Sequence, residues 1–287
     1  MAVIWYPGHM HRARKQIKEV MHQVDLVIEV MDARIPFSSE NPVVTELRGP
    51  RPCIKVLNKS DLADPLITAQ WLRYFSKQEG VRALALTSTH KGDARKLLSL
   101  CREMVPLRVQ RGEPVRTMIM GIPNVGKSTL INALAGKAIA RVGDEPAVTK
   151  HQQRISLGNG IVLSDTPGIL WPRMADENSG YRLAVTGAIK NSAISFEDVA
   201  LYAAEFLLQH YPEMLMTRYK LEELPDSDAA LLELVGRKRG CLRAGGVMDL
   251  HRASEILLKD FRSGKLGEIS LERPADSGND VAQGAAD

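Results

Sequence analysis

A glycine-rich segment in the middle of the chain has the residue types that bind phosphate groups. The run Gly121-Ile122-Pro123-Asn124-Val125-Gly126-Lys127-Ser128 follows an apolar stretch and precedes a helical one, the context that such a loop requires. Its glycines let backbone N–H groups approach phosphates, and the helix N-terminus adds a positive dipole. We predict that Lys127 binds the β- and γ-phosphates and that Ser128 binds Mg²⁺. The other predicted nucleotide contacts here are Asn124, Val125, Gly126 and Thr129. The alternative is a chance glycine-rich turn.

A second segment predicted to face the phosphates is Asp165-Thr166-Pro167-Gly168, at the end of an apolar stretch. We expect Asp165 to reach Mg²⁺, usually through a water, and the Gly168 N–H to meet the γ-phosphate. Alone, this pattern is common in plain turns. It supports a nucleotide site here because Asp165 lies 38 residues after Lys127. Thr149 is the candidate that completes the Mg²⁺ shell, and it is equally compatible with an ordinary loop threonine.

A third segment, Asn58-Lys59-Ser60-Asp61, has the pattern of a guanine-recognition box. The Asp61 carboxylate can accept the N1–H and N2 amino hydrogens of guanine together, an arrangement that adenine does not offer. A buried acceptor left unpaired is costly, so such a site rejects the wrong base by roughly 10⁴ or more. We expect Asn58 to brace the loop and the Lys59 stem to pack over the ring. Thr87 and Ser88, in the loop after another apolar run, are predicted to touch the guanine oxygen.

Outside this context, an Asn-Lys-x-Asp tetrapeptide is often a strand-ending turn with a helix cap. Combined with the phosphate loop, it selects GTP over ATP.

The elements that must position these residues alternate between strands and helices. Five runs rich in Val, Ile and Leu predict buried strands, and a sixth run precedes a Gly-Asn-Gly turn that indicates a hairpin. They are Val24–Met31, Cys53–Leu57, Val81–Leu86, Thr117–Met120, Ile161–Leu163 and Gln152–Leu157. With helices at Ile67–Gln78 and Ala94–Met104, the pattern predicts an α/β fold with a mostly parallel six-stranded sheet.

After about Met174 the pattern becomes helical. The predicted helices are Tyr181–Lys190, Phe196–His210, Ala229–Arg239 and Leu250–Phe261. We therefore expect a nucleotide domain over residues 1–174, an all-α C-terminal domain over residues 175–273 and a disordered tail over residues 274–287.

The order of the boxes is reversed, because the base box precedes the phosphate loop along the chain. This order predicts a circularly permuted GTPase domain, which is tolerated since domain termini often lie close together. The predicted spatial order of the strands, each marked by one residue, is Val81, Cys53, Val24, Thr117, Ile161 and Arg154. In such a chain the segment after Asp165–Gly168 runs directly into the C-terminal helices. We expect a γ-phosphate that orders this segment to reorient them.

Across nearly its whole length the chain resembles the circularly permuted GTPases of the YlqF (RbgA) type, which act in assembly of the large ribosomal subunit. The resemblance rests on the three boxes and on three further segments. These are Trp5-Tyr6-Pro7-Gly8-His9-Met10, Asp32-Ala33-Arg34-Ile35-Pro36 and Phe261-Arg262-Ser263-Gly264-Lys265-Leu266-Gly267. It implies GTP and GDP binding, Mg²⁺, slow hydrolysis stimulated by the large subunit, and release from that subunit after hydrolysis.

The residue that usually orients the attacking water is missing, because the position after Gly168 is Ile169. The resemblance implies that Asn124 helps to bind a K⁺ ion that offsets charge in the transition state, although Asn124 could merely stabilise the loop. His9 is a second candidate, since histidine can orient or deprotonate water at neutral pH. The alternative for His9 is an RNA-facing or loop-capping residue.

The basic residues indicate where an RNA partner would bind. Residues 237–265 contain eight Lys or Arg and three Asp or Glu, and a smaller basic group lies in residues 12–18. A charge run is usually a solvated face, but the resemblance favours contacts to rRNA phosphates and shape.

Composition limits the remaining alternatives. The chain has 287 residues, a net charge of +4, three scattered cysteines and no 18-residue apolar run. We expect a cytoplasmic monomer that binds no membrane. The resemblance implies that its partner is the large ribosomal subunit. Two other classes stay open: a signalling or transport GTPase that acts on proteins, and a GTP-gated RNA-binding module in which hydrolysis is incidental.

Overall fold

The computed structural model describes residues 8–140, 153–166, 177–189, 195–243 and 245–274, and for residues 8–13 it describes the backbone alone. Within these ranges, the strands of the sheet all precede residue 166, and the later regular elements are helices apart from one isolated β-bridge between Leu242 and Met248. None of the helices in these ranges is long and apolar enough to span a membrane.

One six-stranded sheet is formed by the described residues. Its strands are β1 (Leu26–Asp32), β2 (Cys53–Asn58), β3 (Val81–Leu86), β4 (Val115–Gly121), β5 (Gln153–Gly158) and β6 (Ile161–Asp165). The spatial order is β3-β2-β1-β4-β6-β5, with parallel neighbours except for the antiparallel hairpin of β5 and β6. The predicted permuted α/β fold and its strand order are therefore confirmed.

The central strands are mostly apolar because the sheet is covered on both faces. Every residue of β1 and of β2 is buried, as expected for a parallel sheet with helices on each side. The edge strand β3 instead exposes Arg82. In register, Asp32 at the end of β1 lies opposite Asn58 at the end of β2, while Gly121 at the end of β4 lies opposite Val30. The carboxyl ends of three strands consequently meet at one edge.

Helices cover the sheet through two cores. The helices of this part are α1 (Gly8–Met21), α2 (Pro36–Ser39), α3 (Pro42–Arg48), α4 (Pro65–Phe75), α5 (Lys91–Glu103), α6 (Pro106–Gln110) and α7 (Lys127–Ala135). On one face, Trp71 and Phe75 of α4 pack with Met31 and Leu57. The larger core joins α1, α3, α5 and α7 to the remaining strand residues.

Local signals explain where the predicted helix boundaries were wrong. The helix predicted at Ile67–Gln78 is α4, and it begins at Pro65 because the Asp64 carboxylate accepts from the Leu66 and Ile67 N–H groups. Three short helices, α2, α3 and α6, each begin with a proline and are too short to show an apolar period.

The later part of the chain is all-α within the described ranges. Its helices are α8 (Glu177–Thr186), α9 (Phe196–His210), α10 (Pro212–Tyr219), α11 (Asp228–Arg239) and α12 (Leu250–Arg262). Buried side chains on α9, α11 and α12 join one core, among them Leu207, Val235 and Leu257. Helix α9 ends at His210, as predicted, and Tyr211, which precedes Pro212, has a non-helical φ of −138°. Helix α10 was not predicted, because its eight residues are too few to show a clear apolar period.

After α12 the chain returns to the sheet. This C-terminal segment (residues 263–274) is held by backbone hydrogen bonds from Ile269 N to Leu62 O at 2.9 Å and from Leu271 N to Arg34 O at 2.8 Å. The buried carboxylate of Glu272 accepts from the N–H groups of Phe37 and Ser38, at the start of α2. The helical part is thereby fastened beside the base box, a contact that the sequence pattern did not predict.

Candidate nucleotide site

The phosphate loop leaves the sheet in close contact with the neighbouring strand. Gly121 has φ of +155°, and a Cβ at this position would lie 2.4 Å from the Val30 carbonyl oxygen. Only glycine permits so close an approach to β1. Because β1 lies between β2 and β4, the residue that ends β1, Asp32, sits between the base box and the phosphate loop.

The loop ends at a helix start suited to an anion. Asn124 and Gly126 both have positive φ, +59° and +88°, and α7 begins at the next residue. Among the described residues no side chain caps the first turn of α7, and that turn contains no acidic residue. Its N–H groups and dipole therefore have no anionic partner in the first turn, which fits the phosphates of a nucleotide.

Lys127 and Asp165 meet below this helix start. Lys127 is 7% exposed and its Nζ lies 3.6 Å from Asp165 Oδ1. Burial lowers the pKa of Lys127, and the Asp165 carboxylate partly offsets this effect. Next to Asp165, the Thr166 hydroxyl donates to Ile119 O at 2.7 Å, which fixes the end of β6 to β4. A buried ammonium and a buried carboxylate side by side suit a phosphate and a divalent cation, respectively.

Asn58 joins three loops of the site. Its Nδ2 donates to Val125 O in the phosphate loop at 2.7 Å, and its Oδ1 accepts from Ser88 Oγ at 2.6 Å and Ser88 N at 3.2 Å. The approach is so close that a Cβ on Gly126 would lie 2.3 Å from Asn58 Nδ2. The structure thus brings together the base box, the loop after β3 and the phosphate loop.

Lys59 is held in place by two acceptors. It has a left-handed backbone with φ of +59°, and its Nζ donates to Asn124 O at 2.7 Å and to Asp32 Oδ2 at 3.0 Å. Burial lowers the pKa of Lys59, while the Asp32 carboxylate opposes that change. The stem of Lys59 is thereby fixed across the gap between the two boxes.

Asp32 and Arg34 also belong to the site, although they were not predicted as site residues. Their segment was noted only because it contributes to the family resemblance. Arg34 binds Asp32 in a bidentate manner, with Nε to Oδ1 at 2.9 Å and Nη2 to Oδ2 at 2.8 Å. Burial would raise the pKa of Asp32, but the charges of Arg34 and Lys59 outweigh it and hold that pKa well below its usual range. One feature of the sequence could have identified Asp32 as a site residue. It is an acidic residue at the end of a buried strand, and that strand lies between the two strands that carry the boxes.

Asp61 and Thr87 form the outer edge of the base loop. The Thr87 hydroxyl donates to Asp61 Oδ1 at 3.0 Å and lies 3.3 Å from Ser60 Oγ. The Thr87 N–H donates to Asp93 at the start of α5, which also fixes the loop. Asp61 is exposed, so its carboxylate is accessible to a base that enters from solvent.

The phosphate loop also contacts the helical part. Asn124 Nδ2 donates to Gly187 O at 2.9 Å, just beyond α8. Arg262, in the last turn of α12, donates to Val185 O at 2.8 Å and to Ala184 O at 2.7 Å. The end of α8 therefore bridges the phosphate loop and α12.

Four residues of the predicted site fall wholly or partly outside the described residues. Thr149, Gly168 and Ile169 lie outside them. His9 is the second residue of α1, and its side chain is not among those described. Ser128 and Thr129 are half-buried in the first turn of α7.

The basic surface lies at the end of α11 and in the loop after it. Arg237, Lys238 and Arg239 form the last turn of α11, and Gly240 ends the helix in a left-handed conformation. The Arg237 side chain is 70% exposed, and that of Arg243 in the following loop is 62% exposed. Arg237 and Arg243 pair with nearby acids, Glu233 and Asp249, which reduces their net field.

Comparison with known proteins agrees with this geometry over most of the chain. A family model described as "50S ribosome-binding GTPase" matches residues 116–223. The protein named Ribosome biogenesis GTPase A from Priestia megaterium is 45% identical over 285 residues, which cover 96% of this chain and 99% of that protein.

Two solved structures are similar in fold. A GDP-bound structure of TM YlqF has a TM-score of 0.65 at 34% identity and covers 91% of this chain and 100% of its own. A GNP-bound YlqF from T. maritima has a TM-score of 0.64 at 33% identity and covers 92% of this chain and 98% of its own. The similarity therefore includes the helices as well as the sheet.

Proposed function

The chain belongs to the ribosome biogenesis GTPase A family, and on that premise we propose that it binds the maturing large ribosomal subunit in its GTP form. It supports late assembly of that subunit and is released when GTP is hydrolysed. The observation that carries the proposal is the hydrogen bond from Asn58 Nδ2 to Val125 O at 2.7 Å. That bond supports one composite guanine-nucleotide site despite the reversed order of the boxes.

The proposed site residues form two groups, one for the base and one for the phosphates of the nucleotide. Asp61 reads guanine through its exposed carboxylate, with Thr87 hydrogen-bonded to Asp61 and Ser88 hydrogen-bonded to Asn58 in the same base loop. At the other end, the Lys127 side chain and the backbone N–H groups from Val125 to Thr129, in the phosphate loop and the first turn of α7, bind the phosphates. Ser128, Thr149 and Asp165 would hold Mg²⁺, which when bound neutralises charge on the phosphates.

Hydrolysis in this site depends on groups other than a glutamine, because Ile169 has no polar atom to orient water. We assign the Asn124 side-chain oxygen to a K⁺ ion that offsets the charge of the transition state. The hydrogen bond from Asn124 Nδ2 to Gly187 O supports this, since it fixes the orientation of the side-chain amide within the phosphate loop. Gly168 supplies an N–H to the γ-phosphate, and His9 orients the attacking water.

These two assignments are separable by kinetics. We expect GTP turnover of the wild type to be faster in K⁺ than in Na⁺, and the difference to disappear in Asn124→Ala. His9→Ala should reduce turnover in both salts while the affinity for GTP stays the same. An unaltered rate in His9→Ala rejects the role of His9, and a K⁺ effect that persists in Asn124→Ala rejects that of Asn124.

The exposed basic surface around Arg237 and Arg243 is proposed to contact rRNA. Lys and Arg side chains at a helix end neutralise backbone phosphates without reading sequence. The protein acts as a cytoplasmic monomer in this proposal, and the ribosomal subunit is its partner.

The decisive test is sedimentation with ribosomal subunits on a sucrose gradient. We expect the protein with a non-hydrolysable GTP analogue to migrate with the large subunit, and with GDP to remain at the top. Asp61→Asn is the matched control, because the amide cannot accept both guanine hydrogens, and it should stay at the top with the analogue as well.

Three results would change the proposal. Absence of the analogue-bound protein from the large-subunit fraction rejects the assembly function. Equal binding with GDP rejects release by hydrolysis. Co-sedimentation without any rise in GTP turnover on adding large subunits favours a GTP-gated RNA-binding module.

A further inference from the structure

We infer that Asp32 and Arg34 are positioning residues that connect the base-box lysine to α12, so that packing of the helical part sets the affinity for guanine nucleotide. This inference rests on nucleotide binding at the site and not on the ribosomal step. The proposed connection to the helical part lies on the base side of the nucleotide and is separate from the segment that follows Asp165.

The first link is the carboxylate of Asp32, which serves two cations. Its Oδ2 accepts from Lys59 Nζ at 3.0 Å and from Arg34 Nη2 at 2.8 Å, so both cations meet at one oxygen atom. Asp32 is 1% exposed and ends β1 opposite Asn58 in register. Any movement of Arg34 that displaces this carboxylate therefore also changes its distance from Lys59.

The second link is the contact of Arg34 with the helical part. The guanidinium lies over the ring of Phe261 in α12, with Cζ 5.1 Å from the ring centroid. Arg34 is 1% exposed, and its Nη1 has no hydrogen-bond partner among the described residues. The guanidinium is thus positioned by Asp32 on one side and by the aromatic ring, through a cation–π contact, on the other.

The third link is a pair of backbone hydrogen bonds from the C-terminal segment, one to Arg34 and one to the turn after the base box. Leu271 N donates to Arg34 O at 2.8 Å, and Ile269 N donates to Leu62 O at 2.9 Å. Leu62 ends the short 3₁₀ turn that begins at Ser60 in the base box. The C-terminal segment, which follows α12 directly, therefore contacts both Arg34 and the base box and gives α12 a second connection to the site.

A purely structural ion pair would give a different result from a positioning pair. Loss of a structural pair lowers the stability of the folded protein but leaves the folded protein's affinity for nucleotide unchanged. Loss of a positioning pair changes the placement of Lys59, whose stem packs over the base, and changes the affinity itself. Because the contacts lie on the base side, the affinities for GDP and GTP should change by the same factor.

The test is a double-mutant cycle on the affinity for fluorescent mant-GDP, with the full chain in each case. We expect Asp32→Asn to weaken binding about tenfold or more, since hydrogen bonds to a charged group are lost. Phe261→Leu should weaken it roughly threefold in the wild type and leave it unchanged in the Asp32→Asn background. Phe196→Leu is the matched control, because Phe196 contacts His251 near the start of α12, at the other end of that helix from Phe261, and it should bind as the wild type does.

Two outcomes overturn the inference. One is an equal effect of Phe261→Leu in both backgrounds, which means that Asp32 does not transmit it. The other is wild-type affinity in a folded Phe261→Leu protein.

A second measurement serves if Asp32→Asn does not fold. The Leu62 N–H donates to Lys59 O at 3.0 Å and reports on the base box by hydrogen exchange. We expect its exchange to be faster in Phe261→Leu than in Phe196→Leu, and equal rates would overturn the inference. Failure of the ribosomal proposal is distinguishable, since the coupling would persist while sedimentation and turnover showed no effect of large subunits.

Discussion

The hydrogen bond between Asn58 and the phosphate loop can be removed by a change of one atom. Asn58→Asp keeps the size of the side chain and its acceptor for Ser88, but replaces the Nδ2 donor to Val125 O with an oxygen. The loss of one hydrogen bond costs about 1 kcal/mol, and an acceptor facing a buried carbonyl adds about 1–2 kcal/mol. The sum, about 2–3 kcal/mol, corresponds to a roughly 30- to 150-fold change in an equilibrium constant.

This cost should appear as lost affinity for nucleotide. Without nucleotide the two loops can separate slightly and admit water, whereas a bound nucleotide that contacts both of them requires their close approach. We therefore expect Asn58→Asp to weaken binding of both GDP and GTP by roughly 30- to 150-fold in a mant-nucleotide titration.

The chain offers a chemically matched control in Asn132. Its Nδ2 donates to Ala140 O at 2.9 Å, and its Oδ1 accepts from Ile139 N and Ala140 N at 2.8 Å, beyond the nucleotide site. Asn132→Asp should lower stability in urea but change affinity by less than about threefold. The reasoning is refuted if Asn58→Asp binds as the wild type does, or if Asn132→Asp loses as much affinity.

Three further predictions concern stability and RNA binding. Burial, opposed by Arg182, raises the pKa of Glu272 to about 7. The folded state therefore binds the proton more tightly, and this contribution to stability is present below the unfolded pKa and is lost as pH rises through about 7. In Glu272→Gln, the free energy of unfolding in urea should fall less between pH 5 and pH 7 than in the wild type, because this one group no longer titrates. An unchanged pH profile contradicts the prediction. Trp71→Phe keeps the stacking on Phe75 but removes the bond from Nε1 to Glu272 O, and it should cost about 1 kcal/mol of unfolding free energy, against about 3–5 kcal/mol for Trp71→Ala. Replacing Arg237 and Lys238 together with glutamine should weaken large-subunit binding and reduce the slope of log K against log salt by about two. An unchanged slope would place the rRNA contact elsewhere.

The two junctions between the sheet and the helices lie at opposite ends of the nucleotide site. On the phosphate side, Asn124 contacts Gly187 O. On the base side, Arg34 contacts Phe261 and the C-terminal segment. A protein that changes its partner with its nucleotide needs contacts of this kind, because a ligand shifts a conformation only through differential contact with its states.

Much of the architecture could be predicted because it depends on local patterns. Continuous apolar runs mark strands that are buried on both faces, and the reversed boxes give the permuted strand order. The glycines of the phosphate loop are needed by backbone geometry, as the 2.4 Å approach of a Cβ on Gly121 to Val30 O illustrates. These features follow from residue type and spacing alone.

Helix boundaries and short helices were less predictable. The end of α9 at His210 was predicted, whereas α10, which begins at Pro212, was not, because its eight residues are too few to show a clear apolar period. Short helices such as α2 are stabilised by tertiary contact, here with Glu272, because four residues are too few to be stable alone.

The sequence by itself determined the chemistry of this protein: a phosphate loop, a guanine box, their reversed order and a basic helical end. Tertiary structure alone decided how these parts are connected. Asp32 lies between Lys59 and Arg34, and Glu272 lies beneath Ser38, at separations of up to 234 residues along the chain. Such contacts depend on how strands and helices pack, and no local pattern records the partner of a buried charge. The need of each buried charge for a partner is evident from the sequence, but the identity of that partner follows only from the fold.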